Sequence, residues 1–342
     1  MSGVLFEAGL FFGSLALMSI SSFVLTVALE RIGAQLQLAE GLLGILAALG
    51  ADAPEISSSI TALAAGHHDL GVGVVVGSNI FNLGALLGVS ALVAGFVRIG
   101  TAGALLNGAV SLLVTAVAAA LLLGWISVWL ALAILVVFLA PYVYVVAHYP
   151  TQVKRLPLPA RLTNFLASAV ACVQENPSGR QERGGQKRAS LIDWLLVVPA
   201  LFAIVAGSSG IINATLALAS RFAIPHALAG TIGIAGLTGI PNAIAAIRLA
   251  SRHRGAAVVA ECFNSNTANL VFGICLPALL VGLGAPSLQI GLALCWLLVM
   301  TLAAMGLLCW RGGLRRIGGG VLVALTIAFA GVIVCWPLFV RR

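Results

Sequence analysis

Two stretches of the chain carry polar side chains at matching positions inside strongly apolar surroundings. The first runs from Gly50 to Leu83 and the second from Leu237 to Leu270, and a constant offset of 187 positions aligns them without a gap. Asn82 then falls on Asn269. Polar residues at corresponding places of an internal repeat are a strong sequence indication of a binding site shared between two halves of a chain.

Three of the ten carboxylates lie well inside long apolar segments, namely Asp52, Glu55 and Glu261. A charged side chain near the centre of a bilayer costs about 3 kcal/mol on insertion scales, so its presence there indicates a functional site. Asp52 and Glu55 are three residues apart, which would bring them to one face of a helix. Asp52 could point into a site or only hydrogen-bond a broken turn, and either carboxylate could instead have a structural role.

Hydroxyl and amide side chains recur at helical spacing in both stretches. Ser78 and Asn82 are four residues apart, as are Ser265 and Asn269, so each pair shares a helix face. Glu261 lies four residues before Ser265 on the same stripe. Eight residues place Glu261 about 12 Å from Asn269 along a helix axis, which suits an entrance better than the same coordination shell.

Carboxylate, amide and hydroxyl oxygens together suit hard cations such as Ca²⁺ or Na⁺ rather than soft metals. The serines and asparagines could alternatively hydrogen-bond neighbouring helices, as is common in membrane bundles. His67 and His68 adjoin Asp69, but a solvated turn is favoured there over a zinc site.

The composition is that of an integral membrane protein. Hydrophobic residues make up 61% of the chain, charged residues make up 8%, and the mean hydropathy is +1.12. The apolar runs are far longer than barrel strands, so they predict about ten helices of about 20 residues each. The expected spans are 5–29, 36–64, 70–96, 101–124, 126–148, 191–219, 226–250, 256–283, 287–310 and 318–339.

The net charge of +8 reflects topology rather than a nucleic-acid partner. Of the 18 lysines and arginines, 15 fall on one side of the predicted bundle and three on the other. The positive-inside rule therefore places both termini outside and the loop 151–190 in the cytoplasm of a cell (inner) membrane. The six cysteines show no CxxC spacing, and the N-terminus lacks the basic region of a cleaved signal peptide.

The polar loop divides the chain into a first half, residues 1–150, and a second half, residues 191–342. Because each half has five predicted spans, an odd number, the second half must enter the membrane from the opposite side, as an inverted repeat. Pro54 and Pro241 fall at equivalent places within spans, so both helices are expected to break there. Within the loop, Arg155–Val173 could form a surface helix, and Gln174–Ser190 has a composition that favours disorder.

The motifs GADAPE (Gly50–Glu55) and GSNIFN (Gly77–Asn82) resemble those of the calcium/cation antiporter superfamily, typified by sodium/calcium exchangers. The resemblance covers the repeats, about 41–83 and 228–270, and the predicted topology. It implies that Glu55 corresponds to the central cation-ligating carboxylate, Asn82 to the central asparagine and Ser78 to a flanking sodium ligand.

The second repeat departs from the family pattern. Thr238 matches the family's threonine, but Gly239 replaces a serine, and Asn242 stands where a second acidic residue is usual. In the first repeat, Ala51 and Asp52 stand where the family has threonine and serine. One ionised carboxylate would balance Na⁺ or H⁺, whereas Ca²⁺ fits only if Asp52 turns inward and supplies a second charge.

These features predict an all-α polytopic membrane protein of about ten helices in two inverted five-helix repeats. The expected function is secondary cation antiport of the sodium/calcium-exchanger type, by alternating access. The alternatives are proton-coupled or monovalent-cation exchange, or a transport-inactive cation-binding membrane protein. No enzyme motif occurs, so we expect inorganic cations and lipid as partners, with no cofactor and no obligate protein partner. The residues expected to contact the cation are Glu55, Asn82, Asp52, Ser78, Asn242, Asn269, Ser265, Thr238 and Glu261.

Overall fold

The computed structural model describes residues 2–174, 189–310 and 312–340, and these residues are almost entirely helical. The segment expected to be disordered, Gln174–Ser190, falls almost wholly outside the described residues. The first half contains the following elements in order: α1 Ser2–Gln35, α2 Glu40–Ala51, α3 Ala53–Ala64, α4 His68–Phe81, the π-helix π1 Asn82–Val89, α5 Ser90–Ala94, the strand β1 Phe96–Arg98, α6 Thr101–Leu122 and α7 Val128–Val146.

Two short helices follow, α8 Pro150–Val153 and α9 Ala160–Gln174, the second within the segment expected to form a surface helix. The second half contains α10 Leu191–Phe222, α11 His226–Leu228, π2 Ala229–Ile234, α12 Ala235–Thr238, α13 Ile240–Ser251, α14 Gly255–Leu270, π3 Val271–Cys275, α15 Ala278–Val281, α16 Leu288–Trp310, β2 Gly313–Arg315 and α17 Arg316–Val340.

The predicted class, an all-α polytopic membrane protein, is confirmed. Among the described residues, eight helices are long and apolar enough to cross a membrane, and α11 to α13 make a ninth candidate span bent by 46°. The remaining expected span, 36–64, consists of α2 and α3, which have 12 residues each and are too short to cross singly. The count of ten therefore stays a prediction.

The two expected helix breaks are present at equivalent positions. Asp52 separates α2 from α3, and Gly239 separates α12 from α13, two residues before Pro54 and Pro241 respectively. A proline has no N–H to donate, so Pro54 leaves the carbonyl group of Gly50 without its helical partner. The hydroxyl of Ser22 on α1 donates to that carbonyl oxygen at 2.8 Å. The break is thus stabilised by a contact with a neighbouring helix.

Contacts between connecting segments group the helix ends into two sets. Arg31 near the end of α1 forms an ion pair with Asp193 at the start of α10, at 2.9 Å. The connections after α5 and after α16 form an antiparallel ribbon of β1 and β2, in which Val97 pairs with Leu314. The sequence did not predict this ribbon. At the opposite set of ends, Asp69 accepts a hydrogen bond from the backbone N–H of Ser287 at 3.1 Å.

Candidate cation-binding site

Four asparagines join the polar stretches of the two halves. Asn79 on α4 donates to the backbone carbonyl of Asn266 on α14 at 2.9 Å, and Asn266 donates to the carbonyl of Asn79 at 3.2 Å. Asn82 donates to the side-chain oxygen of Asn266, and Asn269 donates to that of Asn79, both at 3.1 Å. When both partners of one of these hydrogen bonds are shifted by the repeat offset of 187 positions, another of the four hydrogen bonds results. A reciprocal set of this kind is what a local twofold relation between α4 and α14 produces.

These hydrogen bonds use the amide nitrogens and leave oxygens free at equivalent places. The Oδ1 atoms of Asn82 and Asn269 are buried and have no hydrogen-bond partner among the described residues. The hydroxyls of Ser78 and Ser265, one helical turn earlier, are also buried and without partners in the described chain. Each half therefore presents one amide oxygen and one hydroxyl from the same helix face.

Glu55 lies in the first turn of α3, directly after the break, and is fully buried. Neither of its carboxylate oxygens has a hydrogen-bond partner within the described residues. The start of a helix favours a negative charge, which partly offsets the cost of burying this carboxylate. Thr238, the last residue of α12 on the opposite half, is a close neighbour of Glu55.

Asp52 lies at the break itself and is also fully buried. Its Oδ1 atom accepts a hydrogen bond from the side-chain amide of Asn242 at 3.2 Å, and its Oδ2 atom has no partner among the residues described. Ser265 is a close neighbour, and Asp52 is near enough to Glu55 for like-charge repulsion. The question that the sequence left open has an answer, because Asp52 points towards the second half.

Among the nine expected residues, Asn242 contacts Asp52, Thr238 lies beside Glu55, and Ser265 and Glu261 lie near Asp52. Asn82 and Asn269 belong to the asparagine cluster, and Ser78 lies one turn before Asn82. Glu261 lies in the wall of a cavity of about 630 Å³. Pro54, Thr238 and Asn242 line this cavity beside the helix breaks. It is also lined by Glu30, Arg248, Arg252 and Arg254. The role of Glu261 as an entrance residue stays a prediction.

The atoms that could bind a cation between the two halves are oxygens, and oxygen ligands favour a hard cation. Within the described residues, no group of three or more His, Cys, Asp or Glu is arranged to hold a metal ion. A cation here would depend on amide and hydroxyl oxygens besides the two carboxylates.

The ring of His67 packs edge-on against that of His226, with centroids 5.4 Å apart.

Three residues in these contacts were not among the expected site residues. Asn79 and Asn266 hold the two halves together, and their recurrence in the repeat was the signal that could have identified them. Ser22 supports the broken helix from α1. Its only sequence signal is a hydroxyl within an apolar span, which is too common to be informative.

Comparisons with known proteins agree with this architecture. The chain is 36% identical over 81 residues to CaxA of Alkalimonas amylolytica, a protein named as an antiporter, and the match spans 23% of this chain and 25% of that protein. The fold is similar to that of the sodium-calcium exchanger NCX_Mj, with a TM-score of 0.59 and 22% identity over 95% of this chain and 98% of that one.

The fold is also similar to that of the H⁺/Ca²⁺ exchanger CAX, with a TM-score of 0.70 and 16% identity over 97% of this chain and 86% of that one. At such identities these likenesses show the fold alone. A family model for the sodium/calcium exchanger protein matches residues 6–147 and 192–335, which is most of the chain. The chain therefore belongs to the sodium/calcium exchanger family.

Proposed function

We propose that this protein is a secondary cation antiporter that carries Ca²⁺ by alternating access, in exchange for Na⁺ or H⁺. Family membership supports the general activity. The observation that carries the proposal is a set of buried oxygen atoms without partners among the described residues, contributed by both halves around the two helix breaks. They belong to Asp52, Glu55, Ser78, Asn82, Ser265 and Asn269.

The energetic argument starts from the two carboxylates. A buried carboxylate without a counter-charge or hydrogen bonds is strongly unfavourable in a low-dielectric interior. Asp52 Oδ2 and both oxygens of Glu55 accept no hydrogen bond within the described chain. In the loaded site, a bound cation or protons would neutralise these carboxylates. Antiport requires a site that binds either the metal cation or the competing cation, but not both at the same time.

The cavity supports an inward-facing state in this proposal. Asn242 lines it, together with Arg248, Arg252 and Arg254. Arginine-rich ends face the cytoplasm under the positive-inside rule, which agrees with both termini outside and residues 151–190 in the cytoplasm.

The coupling ion has two candidates. The resemblance to the exchanger family implies that Ser78 corresponds to a flanking sodium ligand, which favours Na⁺. Asn242, a neutral amide at the position equivalent to Glu55, favours the alternative of proton-coupled exchange, because a single buried carboxylate without a counter-charge can bind and release a proton.

The experiment is Ca²⁺ uptake into liposomes that contain the purified protein, under an imposed Na⁺ gradient or an imposed pH gradient. We expect uptake driven by at least one gradient, reduced at least tenfold in Glu55→Gln and unchanged in Glu7→Gln, a control carboxylate near the start of α1. The gradient that drives uptake identifies the coupling ion. If no cation flux depends on Glu55, the protein is not this kind of antiporter, and cation binding by calorimetry without any flux would favour the transport-inactive alternative.

A further inference from the structure

We propose that both negative charges of the cation site come from the first half of the chain, with Asp52 as the second charge and Asn242 as the residue that positions it. The inference rests on the proposed function and names a specificity-determining residue of that site. It concerns how the charge is distributed between the halves: at the position equivalent to Glu55, the second half carries the neutral amide of Asn242.

The first step is that the side chain of Asp52 does not cap the helix that follows it. Aspartate is among the best residues for capping the first turn of a helix, and Asp52 occupies the capping position of α3. Its side chain nevertheless makes no capping hydrogen bond. The simplest structural explanation for an aspartate before Pro54 is therefore absent.

The second step is that Asp52 is held in place from the opposite half. Its Oδ1 atom accepts a hydrogen bond from Asn242, which lies two residues into α13, beyond the other break, and Ser265 of the same half lies beside it. This contact joins the two broken helices directly beside Glu55. An amide can donate to a carboxylate, whereas a second carboxylate at position 242 would repel Asp52 unless one of the two were protonated.

The third step is the charge count. Asp52 and Glu55 are close enough to repel each other, and the further charged group that faces Asp52 is another carboxylate, Glu261. Two adjacent carboxylates balance the charge of one divalent cation, while a single carboxylate balances one monovalent cation. Removal of the Asp52 charge should therefore weaken Ca²⁺ binding far more than Na⁺ binding.

The test is a charge exchange across the contact between residues 52 and 242. The variants are Asp52→Asn, the double variant Asp52→Asn with Asn242→Asp, and Asp52→Asn with Ala245→Asp, which adds an acid elsewhere in the cavity wall. Ca²⁺ uptake at subsaturating Ca²⁺ and Ca²⁺ affinity by calorimetry are measured for each. Size-exclusion profiles establish that the variants fold.

We expect Asp52→Asn to lose at least tenfold in both measurements. The exchange at position 242 should restore uptake to within about threefold of the original protein, because it keeps one donor and one acceptor in the same contact and restores the second charge. The acid at position 245 should not restore it.

Three outcomes overturn the inference: full activity in Asp52→Asn, equal rescue by both added acids, or no rescue by the exchange. The Glu55→Gln variant separates these from a failure of the proposed function. If Glu55→Gln abolishes uptake and Asp52→Asn does not, only the role of Asp52 is wrong. If both variants keep full uptake, the proposed site is wrong as a whole.

Discussion

Asn79 and Asn266 each donate a side-chain hydrogen bond to the backbone carbonyl of the other, at 2.9 and 3.2 Å. The two residues occupy equivalent positions in the repeat, so the contact joins the same position of the two halves. Both are fully buried, and each also accepts a bond from the asparagine one turn after its partner. These bonds hold Asn82 and Asn269 by their side-chain nitrogens and leave both Oδ1 atoms without hydrogen-bond partners among the described residues.

The reciprocal contact predicts that Asn79→Ala and Asn266→Ala have similar effects. Each change removes two hydrogen bonds and leaves buried donors or acceptors unpaired, which costs about 1–3 kcal/mol for each unpaired group. The apparent melting temperature of the purified protein should fall by similar amounts in both variants. Asn164→Ala, at an exposed position on α9, is the control and should leave it unchanged. A neutral effect in one variant and a large effect in the other would contradict the reciprocal role.

Much of the site could be predicted from the sequence because the repeat has a constant offset. Pro54 and Pro241 identified the broken helices, since a missing N–H disrupts a helix in any tertiary context. The direction of Asp52 could not be predicted. It depends on the contact with Asn242, 190 positions away in the chain, and local spacing carries no information about such a contact.

Gly77 allows α4 to pack directly against the backbone of π2. A Cβ atom at this position would lie 2.5 Å from the Cα atom of Thr231, and backbone atoms cannot move aside as a flexible side chain can. We therefore expect Gly77→Ala to destabilise the protein by about 1–3 kcal/mol or more and to reduce transport, because Ser78 is the next residue. Gly233→Ala, on π2 in open space, should be tolerated. Equal melting temperatures and flux for the two variants would refute this packing argument.

The hydrogen bond from Ser22 to the carbonyl of Gly50 predicts that removal of the hydroxyl destabilises the protein at the helix break. Ser22→Ala leaves the carbonyl that Pro54 freed without its partner, which should lower the free energy of unfolding by about 1–3 kcal/mol. Ser209→Ala is the matched control, because Ser209 is exposed and its hydroxyl donates to the carbonyl of Val205 in its own helix. A melting-temperature comparison decides the prediction, and equal shifts in the two variants would show that α1 does not support the break.

The cavity predicts access to the site from one side of the membrane. In a background without the six native cysteines, Ala245→Cys should react with a membrane-impermeant thiol reagent added on the cytoplasmic side, because Ala245 lies in the cavity wall. Ala62→Cys, at a fully buried position of α3, is the control and should not react. Labelling of Ala245→Cys from the outer side alone would reverse the orientation proposed here.

The ribbon of β1 and β2 shows a second limit of the sequence. Each strand has only three residues, Phe96–Arg98 and Gly313–Arg315, and lies in a connection between long apolar helices. The ribbon forms because the fold brings those two connections together, so no local pattern could predict it. The hydrophobic pattern did predict the long helices, because α4, α6 and α16 each need an apolar surface along their whole length.

Calcium binding to the purified protein tests the central claim most directly. Calorimetric titration of Ca²⁺ into the original protein and into Glu55→Gln measures whether the buried carboxylate is the centre of the site. We expect one Ca²⁺ bound per chain in the original protein, with affinity reduced at least tenfold in Glu55→Gln. The same Ca²⁺ affinity in both proteins would contradict a cation site centred on Glu55.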